Sequence, residues 1–170
     1  MNKKQLIIAA IAATLSVSGA FAATDITGVT GNNGVFNITP DKLNGEVGYR
    51  KYDNFNLSAG DIANLIYKYG NSRDINTFIN LVQNGVKIDG ILNTMRDGNF
   101  YNGQAVFITP GGMAVGASGV LNVGSLSVIT PTNDAYNSLK GEYASNNFAN
   151  INNISSLLNK SSNVGNISID

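Results

Sequence analysis

The chain has 170 residues, eleven basic and eleven acidic, and a formal net charge of zero. Neutrality with only 13% charged residues excludes the basic patch that nucleic-acid binding needs, and equally an acidic tail or a polybasic membrane contact. Cys and His are both absent, which removes disulfides, Cys-His and Ser-His-Asp catalysis and His-bearing zinc sites together. Nineteen glycines, plentiful Asn, Ser and Thr, and an apolar fraction rich in Ile and Val suit many short strands joined by tight turns.

At the N-terminus, Lys3 and Lys4 precede an apolar run from Leu6 to Val17, followed by Ala20-Phe21-Ala22. A positive start, a short apolar core and a small-x-small end are the three parts of a secretory signal, with cleavage expected between Ala22 and Ala23. The run is too short to span a bilayer, and no Cys follows it to carry a lipid. The expected order is a signal peptide over 1–22, a β-helical domain over 23–132 and a polar Asn/Ser-rich segment over 133–170. The mature chain is then exported, through the periplasm, to the cell surface or medium.

Gly34 to Pro40 reads as a strand ended by proline, and Asn54-Phe55-Asn56-Leu57 as a strand with Phe55 and Leu57 on one face. From Ser58 the period changes. Ser58 with Asp61 resembles a capping box, and Ile62, Leu65, Ile66 and Tyr69 fall at helical spacing before Gly70. Ile75, Phe78, Ile79 and Val82 repeat the design before Gly85, so short helices are expected over Ser58–Gly70 and Ser72–Gly85.

Residues 86–131 are the most regular. Strands are expected at Val86–Leu92, which a turn breaks, and at Gln104–Pro110, Met113–Gly116, Val120–Val123 and Ser125–Thr130, with Gly or Asn at almost every corner. Short strands that turn a corner each time, with no helices between, suit a parallel solenoid, although no motif of fixed length recurs. A further short helix is expected over Ala135–Ala144, with Tyr136, Leu139 and Tyr143 on one side, and another turn or two through Ile151, Ile154, Leu157 and Leu158. The stretch from Val164 to Asp170 starts a new alternating strand, as if another coil followed in a longer parent chain.

Three stretches invite a chemical reading. Asp97 to Gly103 has the outline of a calcium loop, but Tyr101 takes the fifth ligand position and Ile108 the twelfth, so a solvent-facing turn is expected. Gly116-Ala117-Ser118-Gly119 is one residue short of a nucleophile elbow and no His can serve it, so a tight corner is expected. Asp53, Asp61, Asp89 and Asp97 are scattered over separate elements, unlike the clustered acids of β-helical polysaccharide enzymes. No metal site, no cofactor and no enzymatic activity are expected.

The stretch from Asn84 to Pro131 resembles the N-terminal secretion domain of filamentous haemagglutinin-like proteins, the large exoproteins of bacterial two-partner secretion. Ile88-Asp89-Gly90, the turn Thr109-Pro110-Gly111-Gly112-Met113 and the closing pair Gly116 to Gly124 carry the resemblance. Thr109 and Gly111 stand where the family pattern has asparagines, whereas Pro110, Gly112 and the apolar Met113 keep the turn's backbone needs. The wider run from Gly48 to Lys140 is similar to the leukotoxin-type filamentous adhesins, through DINTFINLV, MRDGNFYNGQAVF and GASGVLNVGSLSVITP.

The resemblance implies an all-β, right-handed parallel β-helix with an N-terminal cap and one or two short extra helices. It implies a partner, the periplasmic domains of an outer-membrane β-barrel transporter, and host or bacterial surface ligands gripped by a downstream shaft. Thr109 to Met113 is then the candidate export-recognition turn, and Asn54 to Leu57 a second recognition strand. The alternative is a free-standing small secreted β-solenoid adhesin or matrix protein.

Overall fold

Short apolar-polar alternations closed by Gly, Asn or Asp form strands that turn a corner every few residues. A computed structural model describes residues 22–153 and 165–170. The expected signal sequence over 1–21 and the turn through Ile154, Leu157 and Leu158 lie outside the described residues.

The described chain opens with β1 (Asp25–Ile26), β2 (Val35–Ile38), β3 (Lys42–Asn44), β4 (Val47–Tyr52) and β5 (Phe55–Leu57). It continues through β6 (Ile62–Ile66), the small hairpin β7 (Lys68–Tyr69) and β8 (Arg73–Asp74), β9 (Thr77–Val82) and β10 (Val86–Ile88). Then come β11 (Ile91–Arg96), β12 (Asn99–Phe100), β13 (Gln104–Ile108), β14 (Met113–Val115), β15 (Val120–Asn122) and β16 (Ser125–Ile129). Helices α1 (Asn133–Ala144) and α2 (Ala149–Asn152) precede β17 (Ile167–Ile169).

These strands make a parallel β-solenoid of about three turns, each coil visiting three sheets in one order. The first sheet stacks β2, β6, β11 and β15, with Val35, Ile62, Ile91 and Val120 in register. The second stacks β4, β9, β13 and β16, aligning Val47, Thr77, Gln104 and Ser125. The third stacks β5, β10, β14 and β17, aligning Phe55, Val86, Met113 and Ile167. All-β architecture, solenoid and short extra helices agree with expectation.

Two expected helices are strands. Ser58–Gly70 holds β6 and β7, and Ser72–Gly85 holds β8 and β9. In β6 the inward residues are Ala63 and Leu65, while Ile62 and Ile66 point outward and are only half-buried. An outward apolar pair interleaved with an inward one imitates helical spacing. Strand β9 goes further, since it is covered on both sides: Phe78 and Val82 face the solenoid interior and Ile79 and Leu81 face the helices. A strand buried on both faces loses its alternation and reads as a continuous apolar run. Ser58 and Asp61 cap no helix; the backbone N–H of Ser58 donates to the Thr24 hydroxyl at 2.8 Å, and that hydroxyl donates to Asp61 at 2.6 Å.

The interior cluster includes Ile38, Tyr52, Phe55, Leu57, Leu65, Tyr67, Phe78, Ile88 and Phe107. Each such side chain contributes roughly 1.5–3 kcal/mol by leaving water. A second cluster lies outside the second sheet, where Tyr136, Leu139 and Tyr143 of α1 and Ile151 of α2 cover Tyr49, Ile79, Leu81, Val106 and Ile108. The helix begins as its sequence dictates: Thr132 accepts the Ala135 N–H at 3.2 Å as N-cap.

The two ends of the solenoid differ. At the first coil β1 pairs antiparallel with β5, β3 pairs antiparallel with β4, and Asn32 bridges Val35. These short pieces shield the sheet edges, which otherwise template unwanted pairing. At the last coil β15, β16 and β17 have no further strand beyond them among the described residues. There Ile167 and Ile169, in register with the core residues Met113 and Val115, are 52% and 67% exposed.

Candidate functional site

The two candidate recognition pieces meet on one surface. Phe55–Leu57 is β5, with Asn54 at the corner before it, and Met113 opens β14 in the same sheet, with β10 between them. The corner leading into this sheet is stacked rung by rung. Asn84 donates its amide to Asn54 at 2.9 Å, and Asn54 donates to Asp25 at 2.8 Å. Gly111 occupies the next rung. A Cβ there would lie 2.6 Å from the backbone of Asn84 and Gly85, so no side chain can continue the ladder. Outward from the corner runs a shallow groove over Asn56, Lys87, Gly111, Ala114 and Ser168.

Most of the turn is hidden. Thr109, Pro110, Gly112 and Met113 are buried and only Gly111 is exposed. The Thr109 N–H donates to the Ile129 carbonyl at 2.9 Å, while its buried hydroxyl has no hydrogen-bond partner among the described residues. Gly112 has φ +81, and a Cβ there would lie 2.3 Å from the Asn166 carbonyl oxygen. That carbonyl accepts the Met113 N–H at 3.0 Å, so residues 165–166 lie directly over the turn. In the second piece Phe55 and Leu57 are buried, Asn56 is exposed and Asn54 is half-buried. Ala22 and Ala23 are exposed at the start of the described chain, where the Ser58 hydroxyl donates to the Ala22 carbonyl.

The stretches weighed for chemistry form a turn and a corner of the solenoid. Asp97 (φ +50) and Gly98 (φ +78) form the tight turn between β11 and β12, with Asp97 paired to Lys68 at 2.5 Å. Gly116 to Gly119 is a corner in which the Gly119 N–H donates to Gly116 at 2.8 Å, and the Ser118 hydroxyl donates to the Asp89 carbonyl at 2.8 Å. Among the described residues no group of three His, Cys, Asp or Glu side chains is placed to hold a metal ion.

One set of residues escaped the sequence reading. On the outer face of the first sheet, Asn64 donates to Asn37 at 2.9 Å, Asn93 to Asn64 at 2.9 Å, and Asn122 to Asn93 at 3.1 Å. These rungs lie 27, 29 and 29 residues apart. The signal was present as Val35-Phe36-Asn37, Ile62-Ala63-Asn64, Ile91-Leu92-Asn93 and Val120-Leu121-Asn122, a branched aliphatic residue two before each Asn. Unequal spacing hid it from a search for a fixed period.

Comparison with protein-family models, with curated proteins and with solved structures finds no match in any of the three.

Proposed function

We propose that this chain is the N-terminal secretion-recognition domain of a large exported filamentous adhesin, directing export through an outer-membrane β-barrel partner and starting a β-helical shaft. The role is recognition and scaffolding, without catalysis. The observation that carries this reading is the parallel stacking of coil on coil in three sheets, with antiparallel pieces covering the first coil. A covered first coil on which like coils stack in register is the architecture that starts a β-helical shaft.

The turn supports an address read before folding. In the folded chain Thr109, Pro110, Gly112 and Met113 are covered, so a partner would meet these side chains only on the extended segment. Such a segment can add as a strand to a sheet edge of the partner's periplasmic domains, with backbone hydrogen bonds supplying affinity.

The test is export of the full chain from cells that hold the partner barrel. Gly112 is unsuitable for substitution because its Cβ would strike Asn166 in the folded coil. Pro110→Ala and Asn56→Ala are the variants of choice. Export of both should fall to background while the purified mature variants melt with the parent chain. Undiminished export of both overturns the assignment of these recognition elements.

A further inference from the structure

The outer face of the first sheet is a grid of two side-chain columns. One column is Val35, Ile62, Ile91 and Val120, in register across four strands. The other is the asparagine ladder of Asn37, Asn64, Asn93 and Asn122. Beside them Ile66 pairs with Met95, and Phe100, 51% exposed, pairs with Met95 from β12. The outward positions from Val35 to Asn37, Ile62 to Ile66, Ile91 to Met95 and Val120 to Asn122 carry no charge. Lys68 and Asp97, which line one hollow with Asn37, Asn64, Ile66 and Met95, pair with each other at 2.5 Å and so add no net charge.

The ladder leaves hydrogen-bonding capacity unused in an ordered row. An amide has two N–H donors and an oxygen with two lone pairs. Each inner rung spends one donor and one lone pair on its neighbours. What remains recurs at a strand spacing of about 4.8 Å. The side chains are already held by one another, so a ligand orders them at little entropic cost.

We propose that this face binds an unbranched neutral polysaccharide laid along the solenoid axis. The branched aliphatic column would cover the C–H face of the sugar rings, and the spare amide donors and acceptors would meet their hydroxyls. Neutrality selects the class, because an acidic polymer would call for Lys or Arg among the rungs. Area argues against a second copy of the chain. Four strands about 4.8 Å apart, each about five residues of 3.3 Å, present on the order of 300 Å². A stable protein partner needs about 800 Å² on each side.

The test uses the mature full-length chain with insoluble cellulose and chitin as pull-down probes, and cellohexaose and chitohexaose in solution. Polygalacturonate serves as the acidic control. The chain should be retained on at least one neutral polymer and not on polygalacturonate. Asn93→Ala should weaken binding by about tenfold, the equivalent of one lost hydrogen bond of ~1.4 kcal/mol, and Asn37→Ala/Asn122→Ala, at the exposed ladder ends, should weaken it further. Asn84→Ala, in the corner ladder, should leave binding unchanged, which separates the face from general loosening of the solenoid. No retention on either neutral polymer overturns the proposal. So does binding that survives the ladder variants, or a dimer of the chain that Ile91→Lys dissolves.

Discussion

Tyr52 donates its hydroxyl to the amide oxygen of Asn80 at 2.8 Å inside the solenoid, where neither residue reaches solvent. The Asn80 amide nitrogen faces the carbonyls of Phe78 at 3.2 Å and Val106 at 3.3 Å. A polar pair thus sits among the aromatic rings, tying β4 to β9 and β9 to β13. Burial raises the Tyr52 phenol well above its ordinary pKa.

Removing either partner strands the other. Tyr52→Phe should cost about 1 kcal/mol, and Asn80→Ala about 2–3 kcal/mol because it also abandons two carbonyls. Urea denaturation of the two single variants and the double variant checks this. The double variant should cost less than the sum, since neither Tyr52 nor Asn80 is then left facing a missing partner.

Gly112 and Gly98 have nearly the same positive φ, +81 and +78, but different surroundings. Gly98→Ala meets open space and should cost about 1–2 kcal/mol of backbone strain alone. Gly112→Ala strikes the Asn166 carbonyl and should also lift β17 from β14. Hydrogen exchange checks the contrast: the Met113 amide, bonded to that carbonyl, should lose protection in Gly112→Ala and keep it in Gly98→Ala.

The helices act as a strap across the second sheet. Phe148 stacks on Tyr49 with ring centroids 4.1 Å apart, and Lys42 donates to the Tyr143 carbonyl at 2.5 Å near the end of α1. Both contacts reach from the last coil back to the first. Phe148→Ala should cost about 3 kcal/mol, the low end for a buried ring. Thermal unfolding checks the loss, and intrinsic tyrosine fluorescence should report a wetter Tyr49.

Alkali should unfold this protein through its tyrosines. Burial pushes the Tyr143 phenol up to about 12 and raises those of Tyr49, Tyr52, Tyr67 and Tyr136. A folded-state pKa above the unfolded value of 10.0 means that the folded form holds its proton longer. The associated stability is fully present below pH 10.0 and is lost as pH rises toward 12. Denaturant midpoints measured across alkaline pH should fall steeply over that window, together with the rise of phenolate absorbance. With no His in the chain, no histidine titration bends the profile between about pH 5 and 8.

The strands of 86–131 were legible because their corners are marked by Gly or Asn and their alternation is short and regular. Helix α1 was legible from Tyr136, Leu139 and Tyr143 at helical spacing, all of which are buried. The second coil was misread because β6 shows apolar residues outward and β9 is covered on both sides. Periodicity reports how many faces are buried, and it fails when that number departs from one. The candidate turn could be named from sequence, but not its burial, which depends on residues 165–166 lying over it.

By itself, the sequence determined the local terms: which segments extend, where they turn, that no disulfide or histidine chemistry is present, and that the surface is nearly free of net charge. Tertiary structure decided everything that depends on stacking. It set which strands lie in register, which end of the solenoid is closed, and that four asparagines far apart in the chain form one ladder. The physical reason is that a local pattern is set by residues a few positions apart, whereas a rung is set by the length of a whole coil. That length shifts with each corner and hairpin the chain inserts.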